Sequence, residues 1–140
     1  MESKHTCTAL ILHCMDFRLG KPIKEYLQER GLLGDCDIVS IAGATKNIAR
    51  PTEPTDREFA LRQIRTSVRL HEIKKVIVMN HTDCGAYGGR SSPEDRESQH
   101  IADMKSAKLA IQNICRVVNL ALARINGNNE VEIIEVPDSV

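Results

Sequence analysis

Short apolar runs recur along this 140-residue chain, and segments long enough for a helix separate them. Residues 7–14 (CTALILHC) and 75–80 (KVIVMN) lack polar alternation, which is typical of strands covered on both faces of a parallel sheet. A third short strand is predicted at 37–42. Strands alternating with helices predict an α/β fold, a single domain over residues 1–140 with a mainly parallel β-sheet flanked by helices.

Caps and helical spacing predict the helices between these strands. Pro22 fits a first helical residue, and Gly31 can stop that helix. Residues 43–54 are predicted to form a loop, because prolines interrupt the stretch. Thr55-Asp-Arg-Glu58 has the spacing of a capping box and predicts a helix to about Glu72. Its expected buried stripe consists of Phe59, Ile64, Val68 and Leu70.

The last third of the chain has fewer turn signals. Ser92-Pro93 offers a cap and a first-turn proline for a long helical region to about Ile125, with a break near Lys105 as an alternative. Residues 126–129 read as a turn, and 130–136 as a final strand.

Charge and hydropathy exclude several classes of partner. Nineteen basic residues balance nineteen acidic ones, so the chain lacks the positive field that holds nucleic acid or an anionic membrane. No apolar run approaches the roughly 20 residues that span a bilayer, and the apolar stretch near the N-terminus is short for a secretory signal. We therefore expect a cytoplasmic protein that binds neither nucleic acid nor membrane.

The five cysteines suggest chemistry other than disulfide formation. In a cytoplasmic chain they are better interpreted as metal ligands, reactive thiols or small buried side chains. Cys7, Cys36 and Cys115 are predicted to be packing residues, with a regulatory thiol as an alternative for Cys36. His71 and the other histidines outside the motifs described below are predicted to be ordinary surface or hydrogen-bonded residues.

Three potential zinc ligands fall at predicted strand ends. Cys14 ends the strand predicted at 7–14, and His81-Thr-Asp-Cys84 begins the loop after the strand predicted at 75–80. Thiolate and imidazole are preferred zinc ligands, and ligand sites of parallel sheets lie beyond the carboxyl ends of the strands. Three protein ligands would leave a fourth position open, as catalytic zinc requires. Cys14, His81 and Cys84 are thus the candidate metal ligands.

Asp16 and Arg18 are the candidate catalytic residues. In an extended segment, residues two apart point to the same side, which would place Asp16 and Arg18 on the side of Cys14. Met15 and Phe17 would then point to the other side and pack against the core. A nearby guanidinium keeps a carboxylate ionised. Asp16 could then accept a hydrogen bond from hydroxide on the metal, while Arg18 orients Asp16 and keeps it from closing the coordination sphere.

Together, CMDFR at 14–18 and HTDCG at 81–85 resemble the motifs of the beta-class carbonic anhydrases. The likeness extends through LLGDCDIVSIAGATKNI and KVIVMNHTDCGAYGG and covers about residues 7–90. It implies one zinc ion per chain and reversible hydration of carbon dioxide to bicarbonate and a proton. It also implies a homodimer or higher homo-oligomer. The family's Ala-Gly-Asn turn is replaced here by Ala42-Gly43-Ala44.

Three alternatives remain open at this point. The same zinc site could hydrolyse carbonyl sulfide or carbon disulfide, since pocket shape decides which substrate enters. Asp16 could instead complete a closed, non-catalytic Cys2HisAsp zinc site. A thiol redox protein is disfavoured, because the sequence contains no C-x-x-C.

Overall fold

A single five-stranded sheet organises the part of the chain that the computed structural model describes, residues 5–137. The strands are β1 (Ala9–His13), β2 (Cys36–Ser40), β3 (Lys75–His81), β4 (Val117–Ile125) and β5 (Val131–Val136). Their order is β2-β1-β3-β4-β5. The pairs β2–β1, β1–β3 and β3–β4 are parallel, and only β4–β5 is antiparallel. The predicted α/β class with a mainly parallel sheet is confirmed.

Helices cover both faces of this sheet. They are α1 (Gly20–Glu29), α2 (Lys46–Ala49), α3 (Pro54–His71) and α4 (Glu97–Ile111), with short 3-10 turns at Phe17–Leu19 and Gly85–Tyr87. Side chains alternate along β1, so Leu10 and Leu12 belong to one core with Ile64 and Met104 of α3 and α4. Ile11 faces the opposite core, together with residues of α1.

The predicted strands agree with β1, β2, β3 and β5 to within two residues at each end. The prediction of a helix up to Ile125 was wrong, because α4 ends at Ile111 without a break near Lys105 and the chain then forms β4. β4 lies between β3 and β5 and pairs with both. The hydrophobic pattern of a buried strand does not by itself distinguish the strand from a buried helix, so pairing across the sheet decided its structure.

Two further helix predictions were wrong. The predicted loop at 43–54 contains α2. The capping box of α3 uses Glu53 and Asp56, with Pro54 as the first helical residue, and not Thr55 and Glu58. The side chain of Asp56 accepts the backbone N–H of Glu53 at 3.1 Å. The observed cap, Glu53, therefore lies two residues before the expected cap, Thr55.

The buried face of α3 differs in part from the predicted stripe. Ala60, Leu61, Ile64 and Ser67 are buried. Phe59 and Leu70, predicted to be buried, are 48% and 43% exposed.

Within residues 5–137, no helix is long and apolar enough to cross a bilayer. The ends of the predicted domain, residues 1–4 and 138–140, lie outside the described residues.

Candidate metal centre

The carboxyl ends of β1 and β3 bring the three predicted ligands together. β1 and β3 are parallel neighbours in which His13 pairs with Met79. Cys14 follows β1 directly, while His81 is the last residue of β3. Cys84 lies on the loop that follows. The topology therefore delivers all three side chains to one edge of the sheet.

We call Cys14, His81 and Cys84 the carboxyl-edge cluster. Their ligand atoms all lie within 4.8 Å of one another, and all three residues are buried. The Nδ1–H of His81 donates to the carbonyl oxygen of Thr82 at 2.7 Å. This fixes the tautomer and leaves Nε2 with a free lone pair, because a carbonyl can only accept.

His81 Nε2 is the one buried side-chain nitrogen or oxygen atom without a hydrogen-bond partner among the described residues. An unsatisfied buried polar atom costs roughly 1–3 kcal/mol and calls for an explanation. A cation bound between the imidazole nitrogen and the two thiolates supplies one. The donor set, two sulfurs and one imidazole, is that of a zinc site. The carboxyl-edge cluster could therefore hold a metal ion.

The two thiols of this cluster differ in their electrostatics. A hydrogen bond from Cys84 holds the pKa of Cys14 well below its usual range, and the backbone N–H of Gly43 also donates to Cys14 Sγ at 3.4 Å. Gly43 has φ +79°, and a Cβ there would lie 2.9 Å from the Cβ of Ala86. This position therefore needs glycine, which lets the backbone approach the sulfur.

Asp16 and Arg18 lie next to the cluster. Arg18 Nε donates to Asp16 Oδ1 at 3.0 Å, and Arg18 Nη2 donates to Asp16 Oδ2 at 2.8 Å. These hydrogen bonds lower the pKa of Asp16 to about 2. Asp16 Oδ2 lies 3.9 Å from His81 Nε2. The structure thus places an ionised carboxylate beside the ligand atoms, with both of its oxygens engaged by a guanidinium.

The predicted extended conformation of this segment was wrong beyond Asp16. Phe17–Leu19 forms a 3-10 turn, and Asp16 caps it by accepting the backbone N–H of Arg18 at 2.9 Å. The turn, and not strand alternation, brings the two side chains together. Met15 and Phe17 do not pack inside this chain, since they are 65% and 87% exposed.

Two partners of Arg18 were not predicted. Its Nη1 donates to the carboxylate of Asp83 at 3.0 Å and to the side-chain oxygen of Asn129 at 3.2 Å, and its Nη2 donates to the Asp83 carbonyl at 3.0 Å. Asp83 lies inside the His81–Cys84 motif, so its proximity could have been inferred. Asn129 comes from the turn between β4 and β5, and no sequence spacing indicates it.

A buried polar network lies behind the loop that carries Cys84. Asn80 Nδ2 donates to Tyr87 Oη at 2.9 Å and lies 3.0 Å from His100 Nδ1. His100 Nε2 is 2.7 Å from Asp95 Oδ1, which also accepts the backbone N–H of Cys84 at 3.2 Å. His100, one of the histidines predicted to be ordinary surface or hydrogen-bonded residues, is buried and hydrogen-bonded. The network connects the backbone at Cys84 to the start of α4.

The remaining cysteines vary in environment. Cys115 is buried in the core, whereas Cys7 and Cys36 are only half-buried. Burial raises the pKa of Cys36 to about 12. A thiol with this pKa carries little thiolate at neutral pH, which disfavours the regulatory role considered for it.

Comparison with known proteins identifies the family. A family model described as "Putative carbonic anhydrase" matches residues 3–135. The chain belongs to this family. An uncharacterized protein of Rickettsia bellii is 29% identical to this carbonic anhydrase family member over 118 residues, 80% of this chain and 72% of the relative. An uncharacterized protein of Rickettsia conorii is 26% identical over 87 residues, 62% of this chain and 47% of that relative.

The fold has a known counterpart among solved structures. The crystal structure of the beta-carbonic anhydrase CafA of Aspergillus fumigatus matches with a TM-score of 0.54 at 17% identity, over 97% of this chain and 77% of that chain. At this identity the likeness extends to the fold alone. The carbonic anhydrase family expected from the CMDFR and HTDCG motifs is confirmed by the family model.

Proposed function

We propose that this protein is a zinc enzyme that catalyses the reversible hydration of carbon dioxide to bicarbonate and a proton. One observation carries the proposal. The buried Nε2 of His81 has no hydrogen-bond partner among the described residues and lies close to two thiols. Beside these three ligand atoms is a carboxylate that an arginine holds by hydrogen bonds. Membership of the carbonic anhydrase family supports the reaction class.

Cys14, His81 and Cys84 would hold the metal, one zinc ion in this cluster. When bound, zinc would supply the Lewis acidity that makes water nucleophilic near neutral pH, an effect that two thiolate ligands moderate by offsetting its charge. The hydrogen bond from His81 Nδ1 to Thr82 orients the imidazole for this role, as an outer partner of a metal ligand does.

Asp16 would act as the hydrogen-bond acceptor for the attacking water. A carboxylate with a pKa of about 2 remains ionised throughout the neutral range, so it accepts and does not donate. Accepting the water's hydrogen orients an oxygen lone pair toward the carbon of the substrate. This role requires direct contact with the reacting water, which makes Asp16 the proposed catalytic residue.

Arg18, the other candidate catalytic residue, would act by positioning Asp16 and not by contact with the reacting water. Its guanidinium engages both carboxylate oxygens and is itself braced by Asp83 and Asn129. Displacing Asp16 toward the metal would break charge-assisted hydrogen bonds, which are stronger than neutral ones. This geometry favours an open site over the closed Cys2HisAsp alternative.

We further propose a cytoplasmic homodimer or higher homo-oligomer that binds neither nucleic acid nor membrane. The equal numbers of acidic and basic residues support the absence of polyanionic partners. Phe17 and Met15 are largely exposed next to the proposed site. Large apolar side chains exposed together are typical of an interaction surface, and a second copy of the chain is the occupant we propose.

Stopped-flow hydration of carbon dioxide tests the proposed function, on protein whose zinc content is known from elemental analysis. We expect rapid hydration by zinc-loaded protein, faster at mildly alkaline than at neutral pH. Asp16→Asn should keep its zinc and lose about 100-fold in rate, the size typical of a positioned proton acceptor. Glu25→Gln removes an exposed carboxylate from α1 and serves as the matched control.

Three outcomes would change the proposal. Zinc-loaded protein without hydration activity, but with hydrolysis of carbonyl sulfide or carbon disulfide, would reassign the substrate. Full zinc with neither activity would favour the closed structural site. Unchanged turnover in Asp16→Asn would remove that residue from the mechanism.

A further inference from the structure

A second cluster of metal-ligating side chains lies at the opposite edge of the sheet. Cys7 precedes β1, Asp37 lies in β2, and His71 is the last residue of α3. Their ligand atoms lie within 4.8 Å of one another, and each residue is half-buried. We call these three residues the amino-edge cluster. It shares no residue with the carboxyl-edge cluster.

Backbone pairing holds this cluster together. The backbone N–H of Cys7 donates to the carbonyl oxygen of His71 at 3.0 Å, so the end of α3 is tied to the start of β1. β1 pairs in parallel with β2, in which Asp37 lies. The three ligands therefore come from elements that the fold itself fixes, and not from one mobile loop.

The polar atoms of the cluster are already arranged around Asp37. His71 Nδ1 lies 2.6 Å from Asp37 Oδ2, and Ser67 Oγ donates to the same oxygen at 2.6 Å. Ser67 is buried and orients the carboxylate as an outer partner does in metal sites. A cation would take the place of the proton shared by the histidine and aspartate.

A second histidine ring and a cavity adjoin the amino-edge cluster. The ring of His5 lies edge-on to that of His71, with centroids 4.9 Å apart. A shallow cavity is lined by His5, Cys7, Cys36, Asp37 and His71. The cavity leaves the cluster accessible from solvent, which gives an ion a path of entry.

We propose that Cys7, Asp37 and His71 form a second metal site, which takes a divalent ion of the zinc type through three protein ligands. One sulfur, one carboxylate oxygen and one imidazole nitrogen are ligands that Zn²⁺ and Co²⁺ accept, with solvent able to take a fourth position. Calcium and magnesium, which prefer oxygen ligands, are disfavoured. The site adds one ion to the single zinc expected in the carboxyl-edge cluster.

Metal stoichiometry of the full chain tests this proposal without an activity assay. Metal-free protein is dialysed against Zn²⁺ or Co²⁺ and analysed for bound metal. We expect about two equivalents in the unaltered chain and about one in Cys7→Ser/His71→Ala, because each cluster holds its ion independently. Cys115→Ser, which alters a buried cysteine outside both clusters, should keep both equivalents.

The cobalt spectrum identifies which cluster is filled. Cys14→Ser/Cys84→Ser should keep about one Co²⁺, with charge-transfer absorption from a single thiolate, and adding Cys7→Ser should abolish that band. His5→Ala should weaken cobalt binding by roughly tenfold, the lower end of what losing a group beside a ligating histidine costs. Circular dichroism establishes that each variant is folded.

Two results would overturn the proposal. One is a single equivalent in the unaltered chain that Cys14→Ser/Cys84→Ser removes completely. The other is a cobalt thiolate band in Cys14→Ser/Cys84→Ser that persists after Cys7→Ser. Should Cys7→Ser/His71→Ala fail to fold, the spectrum of Cys14→Ser/Cys84→Ser alone decides. The proposal adds a site to the proposed function, but a failure of carbon dioxide hydration would leave these measurements unaffected, because they record bound metal and not activity.

Discussion

The two edges of the sheet carry clusters of similar ligand type in different surroundings. The carboxyl-edge cluster is buried, contains two sulfurs and has an unpartnered imidazole nitrogen. The amino-edge cluster is half-buried, contains one sulfur, and its histidine is paired with its aspartate. Burial strengthens electrostatic interactions because water is excluded. A buried cluster is therefore suited to chemistry, and a half-exposed one to exchange of a bound ion.

The two clusters also differ in the hydrogen bonds that surrounding residues make to the groups in and beside them. Arg18 holds Asp16 beside the carboxyl-edge cluster. Arg18 is in turn held by the side chains of Asp83 and Asn129. At the amino-edge cluster, Ser67 holds Asp37. More outer hydrogen bonds mean a more tightly defined geometry at the carboxyl edge.

Loss of a buried sulfur should have the largest effect. Cys84→Ser is expected to remove zinc from the carboxyl-edge cluster and reduce carbon dioxide hydration to background, because serine is a poor zinc ligand at neutral pH. Elemental analysis and stopped-flow hydration measure both effects. Cys115→Ser is the control and should keep zinc and activity; a zinc-loaded, active Cys84→Ser would contradict the assignment of this ligand.

Replacing the guanidinium next to Asp16 should have the second-largest effect. Arg18→Lys keeps the charge but loses the paired hydrogen bonds to both carboxylate oxygens. We expect zinc to be retained and kcat/KM for hydration to fall roughly 10- to 100-fold. Arg65→Lys, at an exposed ion pair on α3, should change neither quantity. Equal rates in Arg18→Lys and the unaltered protein would mean that Asp16 needs no such orientation.

The buried network behind the carboxyl-edge cluster should contribute to stability. Asp103 accepts hydrogen bonds from Tyr87 at 2.5 Å and from Arg50 and Gln99. Burial alone would raise the pKa of Asp103, but these donors lower it below its usual value. Asp103→Asn is expected to lower the free energy of unfolding by about 2 kcal/mol at neutral pH.

The pH dependence of that loss follows from the direction of the shift. A carboxylate whose pKa is lowered in the folded state stabilises the protein above its unfolded pKa, and this stabilisation is lost as pH falls through the folded pKa. The difference between Asp103→Asn and the unaltered protein should therefore shrink on acidification. Urea titrations at neutral and acidic pH measure it. A difference that grows in acid would contradict this origin of the effect.

The smallest predicted effect concerns assembly. Phe17→Ser removes an exposed aromatic side chain beside the carboxyl-edge cluster. We expect self-association to weaken by about 1 kcal/mol or more, with little change in the stability of the single chain. Sedimentation velocity over a concentration series measures this change. Leu109→Ser, at a position on α4 that is 70% exposed against 87% for Phe17, is the control; an identical response of both variants would remove Phe17 from the interface.

The sequence by itself determined where the three residues of the carboxyl-edge cluster lie. The apolar runs before Cys14 and through Met79 predicted two buried strands, and parallel strands place their carboxyl ends at one edge. The proximity of Asp16 and Arg18 was also predicted, although the 3-10 turn that produces it was not. Local pattern and elementary sheet geometry were sufficient for these residues.

Tertiary structure alone decided the rest. β4 (Val117–Ile125) was mistaken for helix, because an apolar segment buried between two strands has no periodicity that separates the two states. Met15 and Phe17 were expected to be buried, but the 3-10 turn leaves them exposed. The amino-edge cluster joins Cys7, Asp37 and His71 from three separate elements. No motif links positions so far apart in sequence, and only strand pairing and the return of α3 bring their side chains together.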